Sequence, residues 1–441
     1  MTTDATVPPA AADAPHPPLP PADERRNFRL GVVNGSVFAA GEALMDPATV
    51  LAAVLASLTR SGVLIGLAAA LPELGWMLPQ VFVAPWASRQ PRQLPLYRRM
   101  AVVRGACLLA IAAAAWLLRA HPPLLLAVFF ALYATYHLCG GVSAIAFMEL
   151  VGRTVRPGRL GAFFARRLFW GGILGALGGV IARRVLEVGD AGTRLAVLFT
   201  LAGMVCSAAL AAFAVVREPA APAHPTPPTP LALLRRGVTW MRHEPAFRRL
   251  FLARATQSLW STAAPFLTLF VMGPLGGGGR AAASLLVARL AGYVLSNLAW
   301  QRLSHRTGNR AIMRVATGLA CVLLFASAIV AYLSPWRLGV VTGAAALVLF
   351  HAVATLGGAA TSGLSIDYNA LVLETAPHGD RQSFVSLINA FLAPTTLLPV
   401  LGGVVVDTFD APALFLACGL TGIVGYRAAT RLPAPHTPET A

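Results

Sequence analysis

Glu42 and Asp46 are two carboxylates four residues apart in an otherwise apolar stretch, with Pro47 directly after them. That spacing predicts one shared helical face, and two carboxylates so close cannot both ionise cheaply. A carboxyl that exchanges a proton while facing a cavity is what coupling of solute to proton movement requires. Glu73, with Gln80 seven residues on, is a third acid in apolar surroundings. Arg289 lies inside another apolar stretch, followed at one and two helical turns by Tyr293 and Asn297. An unpaired Arg there is costly, so Arg289 is expected to answer an acid of the first two stretches. An ionised side chain at mid-bilayer costs at least about 2.5–3.5 kcal/mol and tends to mark a pathway. Asp367, beside Tyr368 and Asn369, follows the glycine-rich stretch 357–363, which predicts a loosened span able to host binding. Asn34 and Ser36, Tyr133, Tyr136 and His137, Gln257 and Trp260, and His351 complete the candidate substrate- or proton-binding set.

These side chains need a scaffold that can hold charge away from water, and the composition supplies one. Of 441 residues, 56% are apolar and only 12% charged, about half the charged share of a soluble chain. The chain therefore reads as an all-α integral membrane protein. Its apolar runs last 20 residues or more without period-two alternation, which excludes a β-barrel. The net charge of +17 comes from Arg alone. Those Arg residues sit in loops between apolar runs, which points to a lipid bilayer as the partner and away from nucleic acid. Cys107, Cys139, Cys206, Cys321 and Cys418 all lie within apolar runs and read as small buried hydrophobes. No metal site, cofactor site or enzyme constellation (clustered His, phosphate loop, nucleophile elbow) is legible, so the expectation is a non-enzyme without cofactors.

Twelve apolar segments are predicted, roughly 28–57, 62–86, 99–118, 122–148, 160–184 and 193–216, then 248–274, 281–301, 311–333, 338–373, 382–406 and 411–430. This gives a disordered Pro/Ala-rich tail over 1–27, a six-helix bundle over 28–216, a linker over 217–247, a second bundle over 248–430 and a tail over 431–441. In the linker, Leu231, Leu234, Val238 and Met241 share a helical face near Arg235, Arg236 and Arg242, which predicts a short interfacial helix. With the amino terminus inside, 25 Arg fall on the cytoplasmic side and seven on the other, placing both termini in the cytoplasm of a cell inner membrane. Trp86 and Trp300, Arg92 and Arg306, and Ala106-Cys107 and Ala320-Cys321 repeat at one offset of 214 residues, the mark of a duplicated six-helix unit.

The duplication, the twelve spans and one loop together resemble the major facilitator superfamily of secondary transporters. That loop, Leu303 to Arg310, keeps Arg306, Gly308 and Arg310 of the family pattern but has Gln301 for its Gly and His305 for its Asp. The resemblance implies two pseudo-symmetric six-helix bundles rocking about a midplane site that spans 1, 4, 7 and 10 surround. It also implies a cytoplasmic gate built from Glu149 with Arg159, Glu374 with Arg381, and the loop of His305, Arg306 and Arg310. In the family the loop Asp caps a neighbouring helix, which a His cannot do as an anion. Gly171-Gly172, Gly175 and Gly178-Gly179 resemble the family's antiporter glycine motif, without its Pro. The implied function is alternating-access, proton-coupled movement of a small organic solute by a monomer, with efflux ahead of uptake of an organic acid or other metabolite, or of a transporter-like protein that moves nothing.

Overall fold

A computed structural model describes residues 20–87, 89–156, 159–219, 229–255, 257–375 and 381–431. The described residues form helices and no strand: α1 (Pro21–Leu44), α2 (Val50–Ala56), α3 (Gly62–Ala87), α4 (Leu94–Leu117), α5 (Pro122–Thr154), α6 (Leu160–Leu186), α7 (Ala191–Ala214), α8 (Pro230–His243), α9 (Pro245–Ala255), α10 (Gln257–Met272), α11 (Gly278–Leu295), α12 (Asn297–Thr307), α13 (Asn309–Leu333), α14 (Gly343–Thr375), α15 (Arg381–Leu392), α16 (Leu398–Thr408) and α17 (Ala411–Thr430), with a 3₁₀ turn over Ala393–Leu397. Among them, ten helices are long and apolar enough to cross a membrane. Two of the ten, Gly278–Leu303 and Leu387–Thr408, run across helix breaks, and the first and seventh expected spans, outside the ten, are made of α1 with α2 and α9 with α10. Phe82, Val102, Leu117, Leu168, Phe169, Leu177, Val322, Val348 and Val424 are exposed on the outside. An apolar surface of that extent is stable only against lipid.

The helix ends follow local chemistry. Pro122 and Pro123 start α5 where a missing N–H costs nothing. Asp190 caps α7 through the Thr193 N–H, and Asp410 caps α17 through the Ala413 N–H. The capping N–H of Thr193 holds the Asp190 carboxyl below its ordinary value. Glu218 reaches back from beyond α7 and accepts from the N–H groups of Gln93 (2.7 Å) and Leu94 (2.9 Å), capping α4.

Several expected boundaries move. α1 begins at Pro21 rather than 28, because Glu24 pairs with Arg156 (2.8 Å) and Arg159 (3.2 Å), and Asn27 exchanges hydrogen bonds with the Arg217 backbone. The first span breaks at Met45 to Thr49, the eighth at Ser296 and the eleventh at the 3₁₀ turn holding Pro394. The tenth span, predicted to loosen at 357–363, is one unbroken helix, α14. Its glycines serve close packing: a Cβ on Gly358 would stand 1.9 Å from the Arg289 carbonyl oxygen, and Gly357 lies under the Trp260 ring. The linker does contain a helix, α8, which packs on α15 where Gly237 meets Leu387 and Phe391.

Helices α1 to α7 pack on one another, as do α9 to α17, and two seams join the groups: α3 against α16, and α6 against α11. Both seams are lined by glycine. A Cβ on Gly66 would lie 2.0 Å from the Pro399 oxygen, and one on Gly403 2.2 Å from the Gly62 oxygen. Along α6, Gly178 faces Ala40 of α1, while Gly172 and Gly179 face Val294 and Leu286 of α11. The glycine run thus lets one helix touch its own group and the other group at backbone distance.

Candidate functional site

Chain direction gives the protein a face that carries both described ends and an opposite face. Among the described residues, the polar links between the two helix groups gather from mid-depth toward the opposite face. Asp46 forms an ion pair with Arg289 of α11. Asp407, at the end of α16, accepts from the N–H groups of Gly62 (2.7 Å) and Val63 (3.3 Å), capping the first turn of α3 across the seam. Thr268 donates to the Ala48 carbonyl at 2.8 Å, and Arg280 meets Glu187 at 3.1 Å. That face is therefore latched shut.

Asp46 and Glu42 do not share a helical face as predicted. α1 ends at Leu44, and Asp46 lies in the following turn, where its Oδ1 accepts from the Thr49 N–H (3.0 Å) and hydroxyl (2.7 Å). Its Oδ2 is left for Arg289. Pro47 favours this break, since the residue before a proline is pushed out of helical geometry. Glu42 stays on α1 and accepts from the Tyr136 hydroxyl at 2.9 Å. Behind Tyr136 lies Arg104 of α4, whose guanidinium stands 4.5 Å from the Tyr136 ring centroid, 5.0 Å from that of Phe38, and 3.4 Å from the Ser143 hydroxyl.

Arg104 is not among the candidates that the sequence singles out. The signal was available: Arg104 lies inside the apolar run 99–118, and the same cost argument applies to it. Arg167 lies within α6 and donates to the Gly31 carbonyl (3.2 Å) and the Asn34 amide oxygen (3.1 Å). Asp407 was also missed, because a cap across a seam has no local sequence pattern.

Other candidates are placed in packing roles. Asn34 is 4% exposed and donates to the Ala209 carbonyl, and Ser36 bonds to its own helix at Val32. Tyr133 is buried, and His137 is wedged between its ring, that of Tyr136 and the backbone at Gly75. His351 bridges Ser284 (2.7 Å) and the Leu347 carbonyl within its own group. Asn297 accepts from Ser362 and donates to the Tyr293 carbonyl at the α11–α12 break. Tyr293 reaches Ser365.

A cavity of about 70 Å³ with a mixed polar and apolar lining opens between the groups. Glu73 and Met77 form one wall; Arg254, Ser258, Trp260, Ser261, Thr361, Ser365 and Thr395 are among the residues of the other. The volume holds about five waters at 10–15 Å³ each.

The expected gate pair of Glu149 with Arg159 does not form. Glu149 pairs with Arg153 at 2.9 Å, one turn along its own helix, and Arg159 with Glu24. The nearer partner wins, because α1 begins early enough to bring Glu24 to Arg159. Arg306 is exposed and Arg310 is engaged. The side chains of Gln257, His305, Asp367, Glu374 and Arg381 lie outside the described residues.

An all-α membrane body with ionisable groups stationed between two seamed helix groups defines a membrane carrier. Sequence comparison agrees: residues 92–406 match the family described as MFS/sugar transport protein, and the chain belongs to it. It is a membrane transporter of the major facilitator type. Among solved structures it is similar to a POT family transporter in complex with 5-aminolevulinic acid (TM-score 0.69, 12% identity, covering 91% of this chain and 95% of that one). It is also similar to the nucleoside transporter NupG (TM-score 0.64, 15% identity, 93% and 100%). A third likeness is to a bacterial homologue of the iron transporter ferroportin in its inward-facing state (TM-score 0.65, 14% identity, 92% and 99%). Comparison with curated proteins gives no match.

Proposed function

We propose that the chain is a proton-coupled carrier of a small organic solute. It works by alternating access as a monomer of two six-helix bundles, in the inner membrane with both termini cytoplasmic, and export in exchange for protons is the favoured direction. The observation that carries this reading is the Asp46–Arg289 pair across the seam. A proton and Arg289 compete for one carboxylate, so protonating Asp46 removes a link that keeps the opposite face closed. Closure in turn expels the proton. Such competition makes proton binding and opening of that face one linked equilibrium. Glu42, bound to Tyr136 on the terminal side of Asp46, is the next proton station. Alternating access needs seams that can slide, and the glycine-lined contacts of α3 with α16 and α6 with α11 supply them.

The test is proton flux in proteoliposomes against a panel of organic cations, sugars and organic acids. The wild type should move protons with at least one class, while Glu42→Gln retains solute counterflow and loses proton movement. Proton movement with no compound, or undiminished movement in Glu42→Gln, refutes the coupling.

A further inference from the structure

Most ionisable groups near mid-depth are matched by the protein itself. Asp46 is held by Arg289 and Thr49, and Glu42 by Tyr136 in the field of Arg104. Arg167 is held by Asn34 and Gly31. Arg254, on the cavity wall, has an interaction of its own. Glu73 differs: it is half-buried on α3, lines the cavity, and has no hydrogen bond or ion pair with any described residue.

An ionised carboxylate in this setting must be solvated by the cavity's water or by what replaces that water. A neutral or anionic solute that displaced the water would strip the carboxylate and give nothing back, a penalty that rises as the site dries. A cationic group replaces the lost solvation with a charge-assisted hydrogen bond. The same cavity is lined by Trp260, whose largely buried indole packs over Gly357 on the wall facing Glu73. Ser258, Ser261, Thr361, Ser365 and Thr395 line it with hydroxyl oxygens able to accept from a cationic group, beside the apolar Met77, Ala360, Leu364 and Leu392.

We infer that the carried solute bears a positive charge, an ammonium or amidinium on a small body, and that Glu73 reads that charge. The inference rests on the carrier reading above and names its solute class. It does not depend on proton coupling, because it concerns binding at fixed pH without a gradient.

The experiment uses the full chain in lipid nanodiscs. The probes are glucosamine, glucose and glucuronate, one ring carrying positive, zero and negative charge, with ethanolamine and ethylene glycol as a smaller pair. Equilibrium binding and ligand-induced thermal shift are read for each. The cationic member should bind at least about tenfold tighter than its neutral partner in one or both series, the size of one charge-assisted hydrogen bond. Glu73→Gln should remove that preference while keeping the ligand-free melting temperature, and Glu73→Asp should keep part of it. Equal binding across charges, no binding by either amine, stabilisation by Na⁺ alone, or a preference surviving in Glu73→Gln overturns the inference. Charge preference with no proton flux would sink only the coupling; flux without the preference would sink only the assignment of Glu73.

Discussion

Replacing Arg289 with Met removes the cationic half of the inter-group ion pair while keeping an aliphatic stem in its place. The side chains of Arg289 and Asp46 are 24% and 13% exposed. The pair therefore lies between solvated pairs, worth about 0–1 kcal/mol, and fully buried ones, whose breaking costs about 3–5 kcal/mol. A loss of about 1–3 kcal/mol from the closed form alone shifts the closed-to-open ratio of the opposite face by about 5–150-fold. Thr49 still bonds Asp46 in the variant, so the turn between α1 and α2 should survive. Spin labels at Val188 and Leu338, exposed loop positions on that face in different helix groups, report the opening as a longer-distance population in pulsed dipolar spectroscopy. Asp46→Asn should enlarge the same population. Identical distance distributions in wild type, Arg289→Met and Asp46→Asn, with all three folded, would refute the latch.

Asp407→Ala orphans the Gly62 and Val63 N–H groups. At about 1 kcal/mol for a lost cap it should open the same face about fivefold, adding to Arg289→Met in the double variant because the sites do not touch. Gly66→Ala drives a methyl against the Pro399 oxygen in the sliding seam, whereas Gly358→Ala drives one against Arg289 within a single helix group. The first should lower transport with little change in melting temperature. The second should cost stability, about 1–3 kcal/mol for overpacking, and the reverse pattern would show that the seams are misassigned. Asp190 has a carboxyl held low by the Thr193 N–H, so its cap is intact above the ordinary carboxylate range and is lost as pH falls through the lowered value. Hydrogen exchange at the Thr193 amide should quicken on acidification relative to neighbouring amides in the wild type, but not in Asp190→Asn.

How much of this was legible in the sequence differs by element. The membrane body followed from composition, and span positions from apolar runs, because burial in lipid acts on every residue of a run alike. The breaks were harder. Pro47 marked the real interruption of the first span, yet the glycines at 357–363, which looked like another, fill a tight seam in a continuous helix. Glycine loosens a helix only where nothing packs against it, and that depends on a partner far along the chain. The charges divide in the same way. The cost of burying Arg289 predicted an acid partner in the first two spans, and Asp46 is there. The expected pair of Glu149 with Arg159 misled, because Glu149 found Arg153 on its own helix and Arg159 found Glu24 of an earlier-starting α1.

By itself the sequence determined that the chain lives in lipid, roughly where it crosses, and that a few ionisable groups at depth need partners, since hydropathy and desolvation depend on residue type and local run alone. Tertiary structure decided which groups meet: Glu42 with Tyr136 near Arg104, Asp46 with Arg289, Asp407 with the start of α3, and Glu73 left facing a cavity. Those pairings join positions up to 345 residues apart. Only the packed geometry of the seams sets such distances, because interactions this short-ranged leave no periodic trace along the chain.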